Sequence, residues 1–174
     1  IAWGNANFPV SDGVKAAPIT PLKRYVFGRR EHPAMNDWTL AAWMAWPHVV
    51  VRVPSAIHGT VDEHFNDLGL TRRIGLRLAN WAGIGPALQR TNMLSNHISW
   101  ILLENPDADD LQVFEPPVPL PDLTFRVMWN SRLAGDPAIA WLRTIVLQSI
   151  EAILARADKR VNAGNIVKAR DRAS

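Results

Sequence analysis

The side chains able to do chemistry are few and scattered. Five histidines, at 32, 48, 58, 64 and 97, are the groups that titrate nearest neutral pH. His58 and His64 stand six residues apart across a loop–helix junction, which misses the same-face spacing that helical zinc pairs use. Asp107, Asp109 and Asp110 follow Asn105-Pro106 in what reads as an exposed turn, without the alternating oxygens of a calcium loop. Ser55 and His58 offer a hydroxyl and a base, yet nothing around them resembles the strand–turn–helix elbow of a nucleophilic serine. Gly83-Ile84-Gly85 opens like a dinucleotide fingerprint, but Leu88 stands where the third glycine belongs. Cysteine is absent, which removes thiolate nucleophiles, disulfides and cysteine-held metals. No catalytic residue, metal or cofactor is expected.

Binding is better served. The loops at 54–59 and 79–85 each follow a strand and precede a helix, so each leaves backbone N–H groups free at a helix start. Facing one crevice, they would hold a carboxylate, with Ser55, His58, Asn80 and Trp81 as lining. Trp81 would add a flat apolar wall. Ordinary solvated turns between strand and helix are the alternative.

The elements that position these loops are short. Ile1–Gly4 reads as a strand, residues 5–20 as an irregular link, and Leu22–Gly28 as a strand through Tyr25, Val26 and Phe27. Thr39 is placed to cap a helix over Leu40–Trp46, which Pro47 ends. His48–Val53 is β-branched, as a strand covered on both faces should be. Thr60 and Glu63 form a capping-box pair ahead of a helix lined by Val61, His64, Phe65 and Leu68. Ile74–Leu78 is a strand, Pro86 sits in a first helical turn, and Ile98–Leu103 fits strand or helix equally. Leu111–Phe114 and Leu123–Trp129 are strands separated by prolines 116, 117, 119 and 121, read as a stiff connector. Asp136 caps a last helix begun by Pro137, with Ala138, Trp141, Leu142, Ile145, Ser149 and Ile150 on its apolar face and Leu154 as its further extension. After Val161 a mobile tail is expected. Strands alternating with helices argue for an α/β architecture.

Composition sets the outer bounds. A chain of 174 residues, 48% hydrophobic and 20% charged, has enough apolar material for a core and is not globally disordered. The net charge of +3 is uneven: six basic and three acidic residues lie from Glu151 onward, leaving 13 of each before it. A body so balanced lacks the clustered positive charge of a nucleic-acid surface. No stretch approaches the roughly 18 residues a membrane span needs. The chain does not begin with Met, as a fragment or processed product would not.

An ordered set of segments carries a family resemblance. They are Tyr25-Val-Phe-Gly-Arg-Arg-Glu-His-Pro33, His48-Val-Val-Val-Arg52, Gly59-Thr-Val-Asp62 with Leu68-Gly-Leu70, and Arg72-Arg-Ile-Gly-Leu-Arg77. Val113-Phe-Glu-Pro-Pro-Val-Pro-Leu-Pro121 and Asp136-Pro-Ala138 with Trp141-Leu-Arg143 complete it, and the set covers roughly residues 20–145. In this order the chain resembles the C-terminal effector-binding domain of LysR-type transcriptional regulators, most of all the group of nodulation and aromatic-acid regulators. The chain departs from that group at Asn80-Trp81, where members often carry His-Phe, near His97, where they usually have Pro, and at Asn130.

The resemblance implies a two-lobed, periplasmic-binding-protein-like (type 2) α/β regulatory domain, here partial. Residues 1–21 would end the first lobe and cross over, 22–104 form the second lobe, 105–155 return to the first, and 156–174 make a basic tail. It implies a small effector, aromatic or carboxylate-bearing, bound between the lobes near Ser55, His58, Asn80 and Trp81. It further implies a homodimer or homotetramer, promoter DNA gripped by an N-terminal winged helix-turn-helix absent here, a cytoplasmic location and no membrane partner. A solute-binding protein of a transport system shares the lobed fold and is the alternative class; a small hydrolase is a third.

Overall fold

The computed structural model describes residues 1–6, 9–51, 60–104, 108–164 and 166–170. In chain order the elements are β1 (Ala2–Asn5), β2 (Val14–Pro18), β3 (Arg24–Arg29), α1 (Leu40–Ala45), β4 (His48–Val51), α2 (Thr60–Asp67) and β5 (Ile74–Leu78). They continue with α3 (Ile84–Gln89), β6 (Ser95–Ile98), α4 (Ile101–Glu104), β7 (Leu111–Phe114), β8 (Phe125–Asn130) and α5 (Pro137–Ala163). Two compact units result, one of residues 1–22 and 122–156, the other of residues 23–121 and 157 onward.

In the first unit β8 is the middle strand, with β1 and β2 antiparallel on its two sides. β2 lies inside the span read from sequence as an irregular link. Val14-Lys-Ala-Ala-Pro18 shows little alternation, and it is the ladder with β8 that makes it a strand. Pro18 donates nothing to that ladder and sits at the strand's end, where the loss is tolerated. The start of α5 follows its sequence signals: Asp136 Oδ1 accepts from the N–H groups of Ala138 (2.8 Å) and Ile139 (3.3 Å) ahead of Pro137.

At 27 residues, α5 is by length and composition long and apolar enough to cross a membrane, contrary to the sequence expectation. Arg143 and Glu151 break the apolar run of this helix in the sequence without removing its overall apolar character. The Arg143 guanidinium lies 4.5 Å from the Trp129 ring centroid on β8, a cation–π contact that holds the charged side of the helix to protein. Trp141, two residues before Arg143, is 65% exposed, and Leu142 and Ile145 are also open.

The second unit is built on β3. Its order β6–β3–β7 is antiparallel throughout, and β4 and β5 pair in parallel beside it, joined through a bridge from His48 to Leu94. Because strand residues alternate in direction, Val26 and Phe27 point to opposite faces, and both are fully buried. Phe27 joins Val49, Ile84, Leu88, Ile101, Leu102 and Val161 in one cluster. Val26 joins Trp38, Trp43, Phe65, Leu94 and Phe114 in the other. A Cβ on Gly28 would come 3.0 Å from Leu94, 3.2 Å from His32 and 3.3 Å from Phe114, so only glycine lets three side chains close over the strand.

Local signals account for the rest. Thr39 Oγ1 accepts from Ala42 N–H at 3.2 Å and caps α1, while Pro47 leaves Trp46 extended (ψ 147°) and ends it. The ambiguous Ile98–Leu103 divides into the end of β6 and the start of α4. The tail differs from expectation. α5 runs on to Ala163 because Ala157 and Val161, four apart, are both fully buried in the second unit. Beyond it Val167 lies parallel to β7: its N–H donates to Val113 O (3.0 Å), and its carbonyl accepts from Glu115 N–H (2.9 Å). Arg170 N–H then donates to Trp38 O.

Candidate functional site

Of the four residues singled out from sequence, Ser55 and His58 lie outside the described residues. Asn80 and Trp81 stand together at the end of β5. The chain leaves Leu78, passes Asn80 in an extended conformation (φ −147°, ψ 168°), and enters a single 3-10 turn, Trp81–Gly83, that leads into α3. Gly83 makes the turn compact, since a Cβ there would sit 3.1 Å from Leu78. Ile84 and Leu88, both fully buried, pin α3 to the core behind it. Both helical pieces are short, so the free amides at this turn are few. The Asn80 side chain caps neither of them and is exposed.

Trp81 is 44% exposed, an unusual position for so large a ring. Its partner is a histidine that the sequence reading did not place at the site: His97 on β6, edge-to-face at 4.9 Å with an interplanar angle of 83°. Only 7% of His97 is exposed. Its Nδ1 lies 3.1 Å from the Ile98 carbonyl, while Nε2 is buried without a partner. Burial is the main cause that drives its pKa down to about 4; the bond to Ile98 opposes this and the nearby Arg24 cation adds to it. The ring is therefore neutral at physiological pH. A histidine in the short strand Ser-Asn-His-Ile, where apolar residues are the norm, was the available signal.

The other buried imidazoles have structural work. His32 Nδ1 accepts from Ala34 N–H (3.1 Å), capping the 3-10 turn Pro33–Asn36, and Nε2 donates to Asn92 O (3.1 Å). His48 Nε2 donates to Trp43 O (3.1 Å) and Nδ1 has no partner. Its pKa is also pushed down to about 4, first by burial and then by the Arg72 cation. On the opposite face of β6 from His97, both amide atoms of Asn96 are buried and unpaired. Among the described residues no three His, Asp or Glu side chains gather closely enough to hold a metal ion.

Residues 4–151 match the family model described as the LysR substrate binding domain. The HTH-type transcriptional activator NahR of Pseudomonas putida is 29% identical over 119 residues, 68% of this chain and 40% of that protein. Nodulation protein D 1 of Bradyrhizobium sp. (strain NC92) is 31% identical over 111 residues, 63% of this chain and 35% of that protein. The chain thus spans well under half the length of these relatives. Among solved structures, the regulatory domain of MexT, a transcriptional activator in Pseudomonas aeruginosa, superposes with a TM-score of 0.68 at 23% identity, covering 79% of this chain and 68% of that one. The shared fold is the mixed α/β, periplasmic-binding-protein-like (type 2) fold of LysR regulatory domains. A family match over residues 4–151, most of the chain, places it plainly: the chain belongs to the LysR substrate-binding-domain family.

Proposed function

We propose that this chain is the effector-sensing part of a LysR-type DNA-binding transcriptional regulator, and that it binds a small aromatic or carboxylate-bearing molecule at the turn after β5. The observation that carries the reading is Trp81, a large ring left 44% exposed at the mouth of α3 beside an imidazole nitrogen with no partner. Asn80 stands next to it with its donor and acceptor uncommitted to the helix start. Ser55 and His58, outside the described residues, are proposed as further contributors. Such a site sets orientation with a few polar groups and gains affinity from an apolar wall. It binds and does not catalyse.

Promoter DNA would be gripped by a segment outside this chain, which suits a body with 13 basic and 13 acidic residues before Glu151. The regulator would work as a homodimer or homotetramer in the cytoplasm. Its switching demands little: a preference of about 1–3 kcal/mol for one conformation over another suffices. Calorimetric titration of a panel of small aromatic and aliphatic acids against the wild type, Asn80→Ala and Trp81→Ala tests the site. Weaker binding in both variants is expected; unchanged affinity in both would move the site elsewhere.

A further inference from the structure

We propose a second small-molecule site in the cavity between the end of α5 and β7. It takes a short aliphatic monocarboxylate, whose head replaces the Asp109 carboxylate on Arg160 and also engages Arg30. The site shares no residue with the turn after β5 and does not rest on the reading of that turn.

The cavity measures about 240 Å³ and lies wholly within the second unit. Leu102, Leu111 and Val113 line it from the core cluster around Phe27, so its inner wall is aliphatic. Two guanidinium groups, of Arg30 and Arg160, supply its charge, with Asp109 between them in sign. Arg160 is fixed in place: Nη1 donates to Leu102 O at 2.6 Å and Nη2 to Asp109 Oδ1 at 2.7 Å. The Asp109 side chain is 85% exposed, so its carboxylate reaches Arg160 from the solvent side. The Arg30 backbone is tied down, its N–H donating to Asp110 O, and its exposed guanidinium has no hydrogen bond or ion pair among the described residues. Its charge still reaches the spot. The Arg160 bond and cation, and after them the Arg30 cation, hold the Asp109 carboxyl below its ordinary range.

Asp109 thus marks where an anion sits. An ion pair so open to water is weakly held, and another carboxylate can exchange for it while Asp109 turns out to solvent. The incoming acid gains two things that Asp109 lacks: Arg30 as a second cation, and an apolar body to cover Leu102, Leu111 and Val113. The volume sets its size. An apolar cavity of about 150 Å³ holds a benzene ring, so this one has room for a chain of about five to seven carbons. The charge pattern sets its valence. A second carboxylate would meet the aliphatic wall, and a neutral head would leave Asp109 undisturbed on Arg160.

The test titrates the isotope-labelled 174-residue chain near neutral pH with hexanoate, hexanamide and acetate. The backbone N–H of Gly164 and the Nε–H of Arg160, both at the cavity, are followed by NMR. Hexanoate should shift both saturably. Hexanamide, of the same shape without the charge, and acetate, without the body, should each bind about tenfold more weakly. Arg30→Ala should weaken hexanoate about three- to tenfold, and Asp109→Asn should tighten it by a similar factor because the competitor is gone. Asp110→Asn makes the same charge change beside the cavity without lining it, and should stay within about twofold of the wild type. No saturable shift, equal affinity for hexanoate and hexanamide, or an Asp109→Asn variant that fails to tighten would overturn the proposal. Equal tightening by Asp109→Asn and Asp110→Asn would reduce the effect to general charge and overturn it as well. A titration that moves the Trp81 indole N–H and leaves Gly164 and Arg160 still would put the acid at the turn after β5, so this site would fall while the effector reading stood.

Discussion

Acidifying the protein from pH 7 to about pH 4.5 should remove roughly 5 kcal/mol of folding stability, through two buried imidazoles. His48 and His97 have folded-state pKa values pushed from 6.5 down to about 4, and both rings are almost wholly inaccessible. The unfolded chain binds protons at these sites as the pH falls through 6.5, while the folded protein does not until about 4. Their stabilising effect is therefore complete above pH 6.5 and is lost progressively down to about pH 4. At about 1.4 kcal/mol per pKa unit, each ring forfeits about 2–3 kcal/mol by pH 4.5. His32, also lowered by burial, acts in the same direction. Two such losses rival the roughly 5–15 kcal/mol total of an ordinary domain. Urea unfolding at several pH values, followed by the fluorescence of the eight tryptophans, measures the slope. His97→Gln and His48→Gln should each remove about half of it. A wild-type stability flat between pH 7 and 4.5, or an undiminished slope in both variants, would refute the reasoning.

Asn80→Ala should change stability by less than about 0.5 kcal/mol, because the side chain is exposed and caps nothing. The same variant should weaken effector binding by about 1–3 kcal/mol in calorimetry if a buried hydrogen bond is lost. Gly28→Ala should cost about 1–3 kcal/mol in urea unfolding, since its Cβ must displace Leu94, His32 and Phe114 together. Asp136→Ala should cost about 1 kcal/mol by removing the cap of α5. The full-length regulator should sediment as a dimer or tetramer, with the open face of α5 at Trp141, Leu142 and Ile145 as one candidate surface.

The sequence was most legible where side chains act on their own backbone. Thr39, Pro47 and Asp136-Pro137 mark helix ends by hydrogen bonds and ring sterics that need no distant partner. β4, β5, β7 and β8 announced themselves through β-branched and aromatic runs. What stayed hidden depends on partners far along the chain. β2 is a strand because β8 lies beside it, and Val167 is ordered because Val113 and Glu115 supply its hydrogen bonds. The site divides in the same way. Asn80 and Trp81 could be placed from the strand–turn–helix pattern, whereas His97, 16 residues onward in sequence, reaches Trp81 only once β6 is folded against β3.

The ordered stretch after α5 has a practical bearing on how this domain behaves in solution. β7 is the outermost strand of its three-stranded sheet, and a bare strand edge is a template for pairing with any other chain. Val167 occupies that edge with two backbone hydrogen bonds, working as a built-in guard against edge-to-edge aggregation. A chain cut after Ala163 would uncover the Val113 carbonyl and Glu115 N–H at the end of β7, together with the Trp38 carbonyl that Arg170 now satisfies. Clumping in such a shortened protein, absent from material that retains residues 166–170, would report an unguarded edge.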